Sequence, residues 1–248
     1  MTSSAMARFT GLPAARETML DVVPGLHTSI VELSGQQQTS WREHSAVAIT
    51  VLCMKGDLRV DIDKPMFSTI LGPGEMYTIP ANVVYRIGAM DAGTKFLLVQ
   101  AGLPWDMTEA TVARGERDEF LRTLSAPEPL ATPVAPDTAF DQYSPGYTRV
   151  DVVAKTQSLR LLILGLGEFR CVPWHTHDEI RDTFFCIEGP MRVETDHPRQ
   201  THVLLPGDTC DVDARQPHFV AGTQGNPCIF LVMQGIGLYN YVPATPAS

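Results

Sequence analysis

His175 and His177 stand two residues apart in the stretch WHTHDEIRDTFFCIEG, residues 174–189. Its apolar flanks mark an extended segment, and on a β-strand residues i and i+2 leave the same face, so the two imidazoles are aligned. Asp182 follows, at the head of a run, Thr183–Ile187, that reads as a second strand. A third imidazole, His218, lies in PGDTCDVDARQPHFV, residues 206–220. Two aligned imidazoles, a carboxylate and a further histidine make a donor set for a divalent metal ion. Glu179 competes with Asp182, because 175, 177 and 179 share a face if the strand runs straight on. His197 and His202 lie near a turn, ETDHPRQTH, and are expected to be exposed rather than ligating.

The elements that must hold these groups can be sketched from composition and rhythm. The chain has 248 residues, 44% of them hydrophobic and 19% charged, enough for one large domain or two smaller ones. A net charge of −9 argues against a nucleic-acid partner, which calls for a basic stripe. The acidity is uneven: residues 1–105 carry 8 basic and 9 acidic groups, and residues 106–248 carry 11 and 19. Five cysteines, Cys53, Cys171, Cys186, Cys210 and Cys228, form no disulfide framework and point to a reducing, cytoplasmic compartment. No apolar run is long enough to span a bilayer, so no membrane partner is expected.

Residues 1–20 show no period and read as a loose arm. From Leu26 short apolar or alternating runs recur at 27–33, 46–54, 58–62, 76–79, 83–87 and 96–100, punctuated by Gly and Pro turns. That pattern predicts an all-β sandwich or barrel. Residues 107–124 break it and are predicted as an amphipathic helix with Thr108 as N-cap. Residues 125–147 hold five prolines and read as a linker. After Arg149 the strand rhythm returns.

The two strand-rich halves are copies. A shift of 133 residues aligns 41–102 on the second half without a gap, with 16 identities in 62 positions, among them Trp41/Trp174, His44/His177, Cys53/Cys186, Gly56/Gly189 and Gly74/Gly207. This is a tandem duplication. The expected domains are 1–104, a connecting helix and linker over 105–147, and 148–248. At the places of His175, Asp182 and His218 the first copy has Arg42, Ile49 and Tyr85, and only His44 remains. An arginine does not ligate a cation and an isoleucine has no lone pair, so metal chemistry is expected in the second copy alone.

With these residues in view the chain resembles the cupins, and among them the two-domain bicupins. The family's first motif is Gly, a spacer, His-x-His, a Glu and a closing Gly; Gly167, His175, His177, Asp182 and Gly189 fill those places, with Asp for the usual Glu. Counting back from Gly189 favours Asp182 over Glu179 as the carboxylate ligand. The second motif is Gly, a spacer, then Pro-x-Gly-x-x-His; Gly207 and His218 match, while Asp213 and Arg215 replace the Pro and Gly. The first copy keeps Gly74 and Pro80 but has Asn82 and Tyr85 later. The resemblance implies two tandem jelly-roll barrels of the double-stranded β-helix type, joined by the short helix and Pro-rich linker. It also implies a homodimer.

A site of three neutral imidazoles and one carboxylate suits Fe, Mn, Ni, Co or Zn, one ion per chain, and leaves adjacent positions for a bidentate substrate or for substrate and O₂. By alternation Phe184, Cys186 and Cys171 are candidates for the substrate-pocket wall. Arg181 and Arg215 flank the site and are candidates to clamp a substrate carboxylate. Tyr239 and Tyr241 look like a tail lying over a barrel end. The resulting expectation is a metal-dependent oxidoreductase, a dioxygenase acting on a small chelating enol, diketone or catechol-like substrate, with Asp182 ligating or relaying a proton. A Lewis-acid isomerase, lyase or decarboxylase and a non-catalytic ligand-binding module remain open beside it.

Overall fold

Alternation along β5 shows how the chain builds its sheets: Leu58, Val60 and Ile62 are buried in an apolar cluster while Arg59, between them, leaves the other face. The computed structural model describes residues 15–112 and 146–246. The first half holds β1 (Arg16–Val23), β2 (Leu26–Leu33), β3 (Arg42–Glu43), β4 (Ala48–Lys55), β5 (Leu58–Ile62), β6 (Phe67–Leu71), β7 (Met76–Ile79), β8 (Tyr85–Ala89), β9 (Thr94–Ala101) and β10 (Thr108–Glu109). The second holds β11 (Tyr147–Lys155), β12 (Leu159–Leu166), β13 (Cys171–Thr176), β14 (Arg181–Glu188), β15 (Met191–Thr195), β16 (Gln200–Leu204), β17 (Thr209–Val212), β18 (His218–Gly222), β19 (Cys228–Gly235) and β20 (Val242–Pro243). The chain divides into two compact units, Met1–Ala131 and Thr132–Ser248. No helix among the described residues is long and apolar enough to cross a membrane.

Each unit contains two five-stranded antiparallel sheets with one topology. The orders are β1-β2-β9-β4-β7 and β10-β3-β8-β5-β6 in the first, and β11-β12-β19-β14-β17 and β20-β13-β18-β15-β16 in the second. The all-β jelly-roll architecture expected from the sequence is present. Each unit has its own core, around Val51, Val60, Ile87 and Phe96 in the first and Leu162, Val193, Val220 and Phe230 in the second. Gly74 and Gly207 occupy equivalent turns at φ 82° and 94°, a left-handed conformation that strains any side chain with a Cβ.

The duplication is visible strand by strand. β2, β4, β5, β6, β7 and β8 recur 133 residues later as β12, β14, β15, β16, β17 and β18 with the same bounds. The gapless alignment fails only at the end. Val51 pairs with Leu98 in the first unit, but its counterpart Phe184 pairs with Val232, an offset of 134. One extra residue in the second copy sits in the turn between β18 and β19, so the true counterparts there are Phe96/Phe230, Leu97/Leu231 and Gln100/Gln234.

Two other expectations are corrected. Residues 16–20, read as part of a loose arm, belong to β1, which pairs with β2 across an irregularity between Met19 and Val22 that obscures the alternation. Thr108, read as a helix N-cap, lies in β10, which pairs with β3. The first barrel therefore runs past residue 104. The remainder of the expected helix from residue 113, and the linker up to residue 145, lie outside the described residues.

Candidate metal centre

Three strands bring the four groups together. β13 and β18 are antiparallel neighbours, and their register sets His175 directly opposite His218. A register shift between Val172 and His175 re-aims the end of β13. His177 follows just beyond that strand, and the chain then turns so that β14 begins at Arg181. The turn returns Asp182 to the site, paired with Gln234 on one side and Val212 on the other.

The ligand atoms of His175, His177, Asp182 and His218 all lie within 4.8 Å of one another, and all four residues are buried. Asp182 Oδ2 stands 3.3 Å from His177 Nε2 and 3.3 Å from His218 Nε2. Bonds of roughly 2.0–2.2 Å to a common ion would set such donor atoms about 3 Å apart. The opposite nitrogen of every ring is held by a backbone carbonyl: Nδ1 of His175 donates to Pro173 O at 2.8 Å, Nδ1 of His218 to Gln216 O at 3.0 Å, and Nδ1 of His177 to Asn240 O. These bonds select the tautomer that turns each Nε2 lone pair inward, the orienting shell that metal-binding histidines require. His177 Nε2 and His218 Nε2 are buried without a hydrogen-bond partner. An orphaned acceptor in the interior is costly, and a cation bound between them and Asp182 removes that cost.

The electrostatics agree. Burial and the neighbouring His218 push His175 down to about 3, so its ring is neutral. Burial opposes charge on Asp182, but contact with His177 and His218 outweighs it and lowers its pKa. Burial opposes charge on His177 too, and the Asp182 carboxylate overrides it, raising the pKa. Without an ion the site thus keeps an anionic carboxylate and attracts a proton to the place a metal would take.

No family model matches the sequence, and no curated protein matches it by sequence. Solved structures do. A cupin 2 conserved barrel domain protein from Leptotrichia buccalis matches with a TM-score of 0.57 and 12% identity, over 91% of this chain and 90% of that one. A single-residue variant of the oxalate decarboxylase of Bacillus subtilis matches with a TM-score of 0.50 and 17% identity, over 92% of this chain and 74% of that one. The chain has the cupin fold. It carries two cupin barrels, and the second holds a His/Asp cluster whose donors could ligate a metal ion.

Glu179 is not part of the cluster of this second cupin barrel. It lies exposed in the turn after His177, and its Oε2 accepts a hydrogen bond from Leu238 N at 3.0 Å. The strand does not run straight on, which removes the argument that placed 179 on the ligand face. Phe184 lines the cavity above the site, together with Tyr147, Leu164, Val172, Phe230 and Val232. Cys186 lies wholly within the apolar core, and half-buried Cys171 is not in the cavity wall. Arg181 and Arg215 are exposed on the outside; Arg215 Nε donates to Asp178 O, so neither stands where it would clamp a bound carboxylate.

Sequence reasoning overlooked several groups. Gln234 is buried beside the carboxylate, its Nε2 3.3 Å from Asp182 Oδ1, and its Oε1 has no partner. The one-residue offset in β19 hid it, since under the gapless alignment its counterpart was Ala101. The C-terminal segment passes over the cavity rather than merely over a barrel end: Tyr241 stacks on His175 at 4.4 Å and 13°, and Tyr239 lies beside His177 with the Arg160 guanidinium 3.8 Å over its ring.

In the first barrel other groups stand at the corresponding positions. His44 keeps its Nδ1 bond to a carbonyl, now Asp106 O, but its Nε2 bonds the Tyr85 hydroxyl at 2.8 Å. Arg42 fills the place of His175, fully buried, with Nη1 on Met107 Sδ. A phenol and a guanidinium thus stand at the positions of His218 and His175.

Proposed function

We propose that the protein is a mononuclear metal-dependent enzyme whose second barrel acts as an oxygenase on a small chelating substrate. The observation that carries this is the set of three tautomer-locked histidines and one carboxylate opening into an apolar cavity. His175, His177, Asp182 and His218 would hold the ion. When bound, a divalent metal there would polarise a chelated substrate and, where redox-active, pass electrons to oxygen.

The remaining groups define the substrate. The cavity offers about 30 Å³ to the centres of water molecules, room for roughly two of them, so the substrate is small or the tail must lift. Leu164, Val172, Phe184, Val220, Phe230 and Val232 keep bulk water from the reacting centre and give an apolar gas such as O₂ a favourable medium. Gln234 Oε1 is placed to accept from a substrate hydroxyl and selects for an enol or catechol-like O–H. Tyr147 also lines the cavity, and burial raises its pKa, so it remains a neutral O–H donor for a developing oxyanion. Asp182 Oδ2 faces His177 and His218 and would be the ligating oxygen, while the Gln234 amide steadies the carboxylate.

A second reading follows from the same cavity and from one of the similar structures. Room for only a few atoms also fits a short carboxylic acid, and the Bacillus subtilis neighbour is by name an oxalate decarboxylase. In that case the chemistry is decarboxylation. The two are separated by one assay. Protein reconstituted with Fe(II), and separately with Mn(II), is incubated with small diketones, catechols and oxalate while O₂ uptake and CO₂ release are followed, in air and under argon. Oxygen uptake linked to substrate loss, absent under argon and absent in Asp182→Ala, supports the oxygenase. CO₂ release from oxalate without net O₂ uptake supports the second reading, and no turnover with any metal leaves a binding cupin.

A further inference from the structure

The first barrel brings an imidazole and a thioether together at a place that does not match the metal centre of the second. On β2, Val31 and Leu33 face the core, so alternation turns His27 and Ser29 to the same face. Met19 on β1 is paired with Ser29, and just beyond it two residues of β1 stand against the single Thr28, a bulge that re-aims the strand. There Met19 Sδ meets His27 Nε2 at 2.5 Å, and the Trp105 ring lies against the imidazole with centroids 5.4 Å apart.

The contact is poor as a hydrogen bond and good as a pair of ligands. His27 is only 6% exposed, and among the described residues its Nε2 meets nothing but the thioether, a weak acceptor that leaves a buried imidazole badly satisfied. Thioether sulfur with imidazole nitrogen is a soft set that suits Cu(I) and offers little to hard divalent ions. Bonds of about 2.0 Å to nitrogen and about 2.3 Å to sulfur set two such donors about 3–4 Å apart. Met19 is 45% exposed and turns about three bonds, so its sulfur can draw back by the roughly 1 Å this requires. The same exposure gives an ion a way in. The indole of Trp105 supplies an electron-rich wall for a cation.

The second barrel already carries a cation in that place. His27 corresponds to Arg160, since β2 recurs 133 residues later as β12. Trp105 corresponds to Tyr239, because each precedes the residue, Asp106 or Asn240, whose carbonyl accepts from the matched His44 or His177. The Arg160 guanidinium lies 3.8 Å over the Tyr239 ring. Met19, paired with Ser29, corresponds to Val152, paired with Leu162. Where arginine brings its own charge to the aromatic ring the sulfur is absent, and where the ring has no arginine an imidazole and a thioether converge beside it.

We propose that His27 and Met19, backed by Trp105, form a binding site for a cuprous ion. In the test, the full-length protein is saturated with Zn(II) to occupy the His/Asp cluster, then titrated anaerobically with Cu(I) against bicinchoninate while tryptophan emission is followed. One equivalent of Cu(I) is taken up and quenches the emission. Met19→Leu, a surface change of similar volume that leaves Zn(II) content unaltered, weakens uptake at least about tenfold, and His27→Gln does the same. Trp105→Phe weakens it about two- to fivefold and removes most of the quench. Cys171→Ser, which removes the half-buried thiol, leaves uptake unchanged. No Cu(I) drawn from the competitor by the wild type, equal uptake in wild type and Met19→Leu, or loss of uptake in Cys171→Ser would overturn the assignment.

Discussion

Shortening the chain to end at Gly237 would test how far the C-terminal segment belongs to the metal centre. The deletion removes the Asn240 carbonyl, which accepts from His177 Nδ1, and the ring of Tyr241, which stacks on His175. It also removes β20, whose pairing with His175 and Thr176 and whose Ala244 N to Trp174 O bond of 2.9 Å tie the tail to β13. Loss of an outer-shell acceptor to a ligating histidine costs about 10–100-fold in metal affinity, or about 1.4–2.8 kcal/mol. The barrel itself keeps all its other strand pairings, so the shortened protein still folds cooperatively. Asn240→Ala is the milder perturbation. It removes the clasp in which Asn240 accepts from Asp178 N at 2.9 Å and donates to the Asp178 carboxylate at 2.6 Å. Both bonds are exposed, so their loss costs about 1 kcal/mol and lowers metal affinity by at most about fivefold. Competition titrations with Co(II) and Zn(II), beside thermal unfolding of the metal-free proteins, read both effects. A shortened chain that folds and binds metal within about twofold of the full-length protein would refute the argument that the tail orients His177.

Three further outcomes are expected. His175→Ala abolishes metal binding, whereas His44→Ala retains one equivalent by elemental analysis and loses about 1–3 kcal/mol of stability, because the buried Tyr85 hydroxyl is left unpaired. Glu179→Gln leaves metal content unchanged, since Glu179 meets only the Leu238 amide, while Asp182→Asn loses metal at a concentration where the wild type is saturated; equal content in the two variants would contradict the choice of carboxylate. Burial raises Cys53 and Cys228 to about 12 and Cys186 and Cys210 to about 11 from an ordinary 9.0. Unfolded thiols then shed protons above pH 9 that folded ones keep, so stability is full below 9 and falls as pH rises toward 11, seen as a declining urea midpoint between pH 8.5 and 10.5 in roughly constant m.

The sequence alone marked the three clustered histidines, the duplication and the all-β class. These properties are local. A two-residue histidine spacing defines a strand face whatever the rest of the chain does, and a constant offset of 133 survives because β2, β4 to β8 and their turns kept their lengths. The first copy's lack of a matching donor set was legible for the same reason, as three differences at matched places. Other properties were decided only by the tertiary structure. The choice between Asp182 and Glu179 depended on a turn after His177 that no periodicity announces. Gln234 entered the site through one extra residue between β18 and β19, which shifted every later pairing. Arg181 and Arg215 are near the cluster along the chain but lie exposed, Arg181 because strand neighbours alternate with Asp182 facing inward, and Arg215 because it sits in the turn between β17 and β18. The acceptor for His177 comes from residue 240, and the stack on His175 from residue 241. Such contacts join segments more than sixty residues apart, and only the register of the sheets brings them together.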